Sequence, residues 1–245
     1  MAGHSHWANI AHKKAAIDRK RGRLFSKIAR RMIAAAKQGG PDPAANLKLA
    51  NAITAARAAN MSNDQIKRAI KRATGGQDSG DFEELVYEGY APGGAAVLIT
   101  ALTDNRNRTG GEVRSIFTKR GGNLGSTGSV AWQFSHLAVV RVASDSTTED
   151  DLMMAVLEAG ADDIEEEGEF FEIRGGPDAL HSIQKAVEAA GLTPASADLG
   201  YVPTESVPVD AETGKKVAGL LDALEENEDI QNVYSNAEFP EGFEA

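Results

Sequence analysis

Residues Leu137–Pro203 read LAVVRVASDSTTEDDLMMAVLEAGADDIEEEGEFFEIRGGPDALHSIQKAVEAAGLTPASADLGYVP, six elements in a row. Leu137–Ala143 is an apolar run of strand length. Thr148–Ala159 reads as a helix, capped by Thr148 and closed by Gly160. Asp162–Glu166 and Glu169–Arg174 form a hairpin around Gly168. Pro177–Ala190 is a helix with Leu180, Ile183, Val187 and Ala190 on one stripe, and Ser196–Val202 is a strand. The order β-α-β-β-α-β is the ferredoxin-like unit. It marks 136–203 as an inserted ferredoxin-like α/β domain.

The flanks on either side need each other. Upstream, Leu85–Tyr90 and Ala95–Thr103 read as strands joined by the turn Ala91-Pro92-Gly93-Gly94. Thr109–Arg120 reads as a helix capped by Thr109 and stopped by Gly121-Gly122. Val130, Trp132 and Phe134 alternate with Ala131, Gln133 and Ser135, the pattern of a half-buried strand with Trp132 inside. Downstream, Val207–Val209 is extended. Asp210 caps a helix through Glu226 with Val217, Leu220, Leu221 and Leu224 inward, and Ile230–Tyr234 is a last strand. That strand has no sheet of its own, so 82–135 plus 204–245 are expected to form one discontinuous α/β domain. The chain as a whole is expected to be α+β and multidomain.

Residues 1–76 differ in kind. They hold 16 Lys+Arg against 3 Asp+Glu, a net of +13, while the remainder carries −23, for a total of −10. Such asymmetry points to a polyanionic partner. Residues 1–22 form a basic arm, with a short helix expected near Ala11–Asp18. Residues 23–38 read as a helix in which Phe25, Ile28, Ala29, Met32, Ile33 and Ala36 share one stripe. Arg23, Lys27, Arg30, Arg31 and Lys37 fall on the other side, expected to face solvent. Asp42-Pro43 has the N-cap and first-position pattern of a second helix. Ser62-Asn63-Asp64-Gln65 has capping-box spacing and starts a third. Gly75-Gly76 and the linker 77–81 end this basic, all-α N-terminal domain.

Phosphate contact through cations and stacking on exposed rings are what such a segment offers. The candidate nucleic-acid-binding residues are His4, His6, Trp7, His12, Lys13, Lys14, Arg19, Lys20, Arg21, Arg23, Lys27, Arg30 and Arg31. Asn105, Arg106, Asn107 and Arg108, in the loop after a buried strand, form a possible second contact. That loop equally suits turn and cap chemistry.

Other function classes find little support. With no cysteine, disulfides, thiolate metal sites and thiol nucleophiles are out. His4, His6 and His12 have only one nearby acid, so no metal site is expected. The loop Gly121–Ser129 has the composition of a phosphate loop but lacks G-K-[ST] and follows a helix, so a tight connection is the safer reading. G-x-S-x-G is absent, and no carboxylate pair is singled out. No enzyme activity, cofactor or small-molecule substrate is expected. No run of 18 apolar residues exists and the N-terminus lacks a signal-peptide core, so a cytoplasmic, membrane-independent protein is expected, with monomer as the default.

Four motifs in order carry a resemblance: G-H-S-H-W-A-N-I at Gly3–Ile10, Y-E-G-Y-A-P-G-G at Tyr87–Gly94, L-T-D-N-R-N-R-T at Leu102–Thr109 and G-G-N-L-G-S-T-G-S-V at Gly121–Val130. Together they resemble the YebC/PmpR family, whose mitochondrial members include the translational activator of cytochrome c oxidase subunit I. His6 stands where members often have Lys. The resemblance implies a helical N-terminal domain and two α/β domains, one inserted in the other. It also implies one of two roles. One is a DNA-binding transcriptional regulator on promoter DNA. The other is a translation factor that meets rRNA or tRNA on the ribosome and relieves stalling at proline-rich stretches. Neither needs covalent catalysis. The residues alone favour the second slightly, because no clear helix-turn-helix and no dimerisation heptads stand out.

Overall fold

The computed structural model describes residues 14–75 and 81–243. The protein is a mixed α+β chain with N-terminal helices and two four-stranded sheets. It divides into two compact units. One takes residues through Arg30, Asp78–Ser135 and the chain from Val202 on; the other takes Arg31–Gln77 and His136–Tyr201.

Three helices come first: α1 (Lys14–Gly39), α2 (Leu47–Ala58) and α3 (Asn63–Thr74). The apolar stripe of α1 is buried at Ile28, Met32, Ile33 and Ala36. Asp42-Pro43 does not open α2. The Asp42 carboxylate accepts from Ala44 N and holds a turn, and the cap is Asn46, whose side chain accepts from Leu49 N. Asn46 also donates to the Ala35 and Gly40 carbonyls. A buried amide with partners on both sides outcompetes an exposed Asp as the start of a helix. Ser62 and Gln65 form the full capping box of α3.

In the first unit β1 (Glu83–Tyr90), β2 (Ala96–Thr103), α4 (Arg106–Lys119) and β3 (Asn123–Leu124) follow. Further strands in chain order are β4 (Phe134–Ala143), then, after α5 (Glu149–Val156), β5 (Ala161–Glu167) and β6 (Phe170–Gly175). After α6 (Leu180–Ala189) come β7 (Ser196–Pro203), β8 (Val207–Pro208), α7 (Ala211–Glu225), β9 (Ile230–Ser235) and β10 (Ala237–Glu238). The first sheet has the order β3-β1-β2-β9, antiparallel throughout. The apolar run of β2 suits its central place, with β1 on one side and β9 on the other. Val97 and Ile99 of β2 join Val113 and Phe117 of α4, Val217, Leu220 and Leu224 of α7, and Ile230 of β9 in one core. Asp210 caps α7 through Thr213 N. In the β1–β2 turn Gly93 has φ 83°, a left-handed backbone that glycine adopts without strain.

In the second unit the sheet order is β5-β6-β4-β7, with β4/β6 and β5/β6 antiparallel. Ala138, Val140 and Val142 of β4 alternate inward against Leu152 and Val156 of α5 and Ile183 and Val187 of α6. Gly160, at φ 93°, turns the chain from the end of α5 into β5.

Two further local expectations fail. Helix α4 begins at Arg106 with Asn105 as its cap, not at Thr109; the Thr109 side chain is buried elsewhere. Trp132 is not a core residue: it is 74% exposed on a 3-10 turn over Ala131–Gln133, and the strand starts at Phe134. The turn breaks the two-residue period, so Val130 and Phe134 remain buried while the residue between them points out. Its cause is Glu88, which takes the Val130 and Ala131 N–H groups that a strand would use. Trp132→Ala is therefore expected to change stability by less than about 1 kcal/mol, the worth of its one Nε1–Ser129 O bond. A thermal melt of the variant checks this.

Candidate nucleic-acid interface

His4, His6, Trp7, His12 and Lys13 lie outside the described residues. Lys14, Arg19, Lys20 and Arg21 lie on the first turns of α1. The stripe beyond them is fully placed, and it does not offer a wholly basic face to solvent. Arg23 meets Glu226 at 2.9 Å and Lys27 donates to the Glu225 carbonyl at 2.7 Å. Arg30 donates to the Glu228 carbonyl at 2.7 Å, to its carboxylate at 3.0 Å and to Asp229 at 2.6 Å. In the other unit Arg31 pairs with Asp198 of β7. Spacing of four, three and one residues puts these cations on one helix face. The carboxylates and carbonyls that receive them stand 167–203 residues later, so nothing local reveals the pairing. Burial pulls the Lys27 ammonium below its ordinary value, with the neighbouring charges of Arg23 and Arg30 acting the same way and that of Glu225 opposing them.

The loop Asp104–Thr109 is likewise turned inward in part. Asp229, just 4% exposed, receives Arg108 at 2.8 Å and the Thr109 hydroxyl at 2.7 Å on its Oδ2, with the Thr103 hydroxyl at 3.2 Å. Burial would raise this carboxyl; the hydrogen bonds from Arg108 and Thr109 and the charges of Arg108 and Arg30 hold it below its ordinary value. Arg108 also pairs with Asp104 at 2.9 Å. Of the four loop residues offered as a second contact, Arg108 is committed to carboxylates and Asn105 to capping. Arg106 and Asn107 are exposed.

The glycine-rich segment Gly121–Ser129 is a fastened connection. The buried Glu88 carboxylate accepts from Gly128 N at 2.6 Å and from Val130 N and Ala131 N at 2.8 Å. Gly125 N donates to the Glu88 carbonyl, and the Tyr90 hydroxyl donates to Ser129 O. Amides that already face a carboxylate do not cradle a phosphate.

A row of outward cations stands on α3, at residues to which the helical reading of the sequence gave no role. Lys67, Arg68, Lys71 and Arg72 are all exposed, and none has an ion pair among the described residues. They cover an arc of about 140° at 3.6 residues per turn. Ile66 and Ala69, on the opposite arc, are buried. The doubled K-R-x-x-K-R spacing was visible in the sequence; what was not visible is that the α1 stripe is occupied and this one is open. No helix among the described residues is long and apolar enough to cross a membrane.

Two family models match the chain. Residues 5–76 match the family model for the TACO1/YebC protein N-terminal domain, and residues 82–237 match that for the TACO1/YebC second and third domain. The chain belongs to the TACO1/YebC family. Relatives in this family include a "Probable transcriptional regulatory protein" of Rubrobacter xylanophilus, 48% identical over 98% of this chain and 97% of its own length. One of the same name from Treponema denticola is 49% identical over 100% of this chain and 99% of its own. A crystal structure of a conserved hypothetical protein from Aquifex aeolicus is 44% identical. It superposes with a TM-score of 0.88 over 96% of this chain and 98% of that one. The YebC/PmpR resemblance of the four sequence motifs is thus the family of the whole chain.

Proposed function

We propose that this TACO1/YebC protein is a non-enzymatic, nucleic-acid-binding regulator of gene expression that acts on promoter DNA. One observation carries the proposal: an exposed row of four cations without ion-pair partners among the described residues, in a protein whose net charge is −10. The relatives' name as transcriptional regulators supports DNA as the polymer. The arm residues His4, His6, Trp7, His12, Lys13, Lys14, Arg19, Lys20 and Arg21 would add contacts, and Arg106 with Asn107 a second one. The body would comprise the discontinuous domain 82–135 plus 204–245 and the ferredoxin-like insertion 136–203, whose reading the strand order β5-β6-β4-β7 supports. The protein would work as a cytoplasmic monomer without cofactor or metal.

A second reading keeps the polyanion and changes the polymer. Trp7 and three histidines in a basic arm suit stacking on unpaired bases. They favour a ribosome-associated translation factor that relieves stalling at proline-rich stretches. Proline is a slow acceptor, with its fixed φ and secondary amine, and ordering of the reacting ends would help without chemistry.

Titration of labelled duplex DNA against the full chain tests the first reading. If six or more phosphates are engaged, affinity falls about 10³-fold or more between 50 and 200 mM salt. A promoter fragment should then be preferred over random duplex. Failure to bind either polymer in dilute buffer ends the proposal. Relief of a Pro-Pro-Pro stall in reconstituted translation, without promoter preference, would move the function to the ribosome.

A further inference from the structure

We infer that α3 is the surface on which the sugar–phosphate backbone of duplex DNA docks, an assignment that rests on the proposed function and gives it a site. Two helices carry rows of cations, and they are not equivalent. On α1 every row member from Arg23 to Arg31 already holds a carboxylate or a helix-end carbonyl. A phosphate arriving there must first displace an internal anion. On α3, Lys67, Arg68, Lys71 and Arg72 carry no such debt among the described residues. Counterion release on binding is the whole of their electrostatic balance.

The seating of α3 fits the same role. Ile66 and Ala69 anchor its inner face, and the Ser62–Gln65 capping box fixes its first turn. The four cations are therefore presented from a rigid element. Asp64, in the first turn and on the same side as the cations, is the one carboxylate of the helix; past that turn its outer face carries positive charge alone. Lys67 to Arg72 spans about 7.5 Å of helix axis, and a helix is about 10–12 Å across with side chains. That matches a major groove about 12 Å wide with phosphates on both rims.

The connection points to a duplex over a single strand. Helix α2 ends at Ala58 and α3 starts at Asn63, with four residues between them. Asn60 takes φ 58° within that turn, and Met61 N returns to the Ala56 carbonyl. A helix, a short turn and a second helix that carries the outward contacts is how helix-turn-helix proteins address a groove. No aromatic ring stands on α3, so stacking on unpaired bases is not what this face provides.

The test uses the full chain with Lys67→Gln, Arg68→Gln, Lys71→Gln and Arg72→Gln together, since Gln keeps helix propensity and length. Anisotropy with a labelled DNA duplex should show affinity near 100 mM salt reduced by about 10²-fold. The slope of log K against log salt should be shallower by about 3–4, as four lost phosphate contacts require. Circular dichroism melts report whether the fold survives. If the last-turn changes weaken the helix, the pair Lys67→Gln/Arg68→Gln should still shift the slope by about 2. Arg23→Gln/Lys27→Gln should bind as the wild type does. Wild-type affinity in the α3 variant, an equal loss in the α1 variant, or a preference for duplex RNA of the same sequence overturns this inference alone. A wild type that binds no nucleic acid overturns the functional reading with it.

Discussion

Asp229→Ala is expected to lower the unfolding free energy by about 3–5 kcal/mol, the range for removing one member of a buried charge network. The carboxylate is 4% exposed and sits where three segments of one unit meet: Arg30 from α1, Thr103 from the end of β2, and Arg108 with Thr109 from the start of α4. Its own carbonyl accepts from Leu102 N at 2.7 Å, so the residue is also stitched to β2 through the backbone. Alanine keeps that backbone bond and removes the anion. Arg30 and Arg108 then lose a charge-assisted partner, each bond worth roughly 1.5–3 kcal/mol. The two arginine side chains are 24% and 44% exposed and recover part of this from water. Thr103 and Thr109, both fully buried, gain nothing from water and keep the bond between their hydroxyls and that of Thr109 to the Asn105 carbonyl. Asp229→Asn keeps the shape but must turn an amide N–H₂ toward one of the donors, and should fall between wild type and alanine. Urea unfolding midpoints measure the series. A change below about 1 kcal/mol for alanine would mean that the hub is replaceable by solvent.

The same residue shows what a sequence does and does not disclose. Signals that act within one turn of chain were legible. Asp210 caps α7, Ser62 and Gln65 box the start of α3, Gly160 closes the turn after α5, and Leu180, Ile183 and Val187 share the buried stripe of α6. Each depends on neighbours a few residues away. That β9 joins a sheet of the segment 82–135 was legible for a different reason: an apolar strand must find a sheet, and the candidates were few; which strand it pairs with, β2, was not. The site was less legible because its electrostatics is long-range. Arg23, Lys27 and Arg30 look outward on a helical wheel. Only the fold brings Glu225, Glu226, Glu228 and Asp229 beneath them. Trp132 misled in a related way: a carboxylate more than forty residues earlier bends the chain and inverts the parity that the alternation of Val130 and Phe134 suggested.

That carboxylate, Glu88, is the site of the second large expected effect. It is 4% exposed and satisfies three backbone donors, Gly128, Val130 and Ala131. Glu88→Ala strands these amides, one of them on the fully buried Val130. Hydrogen bonds to an ionised acceptor are worth about 1.5–3 kcal/mol each, and part of the loop regains water, so a loss of about 3–4 kcal/mol is expected. The loss should be local in its first signs: amide hydrogen exchange at Gly128, Val130 and Ala131 should accelerate before the rest of the sheet responds. Glu88→Gln separates charge from shape. Burial alone would raise the Glu88 pKa, but the three N–H groups hold it below the ordinary 4.5. A carboxyl with a depressed folded pKa stabilises the fold above its unfolded pKa, and that contribution is lost as pH falls through the folded value. The gap in stability between wild type and Glu88→Gln should therefore be constant above about pH 5 and close as the pH is lowered past the ordinary carboxylate range. A gap that stays constant to pH 3, or widens, would show that the loop is held by its own backbone turns and not by the anion beneath it.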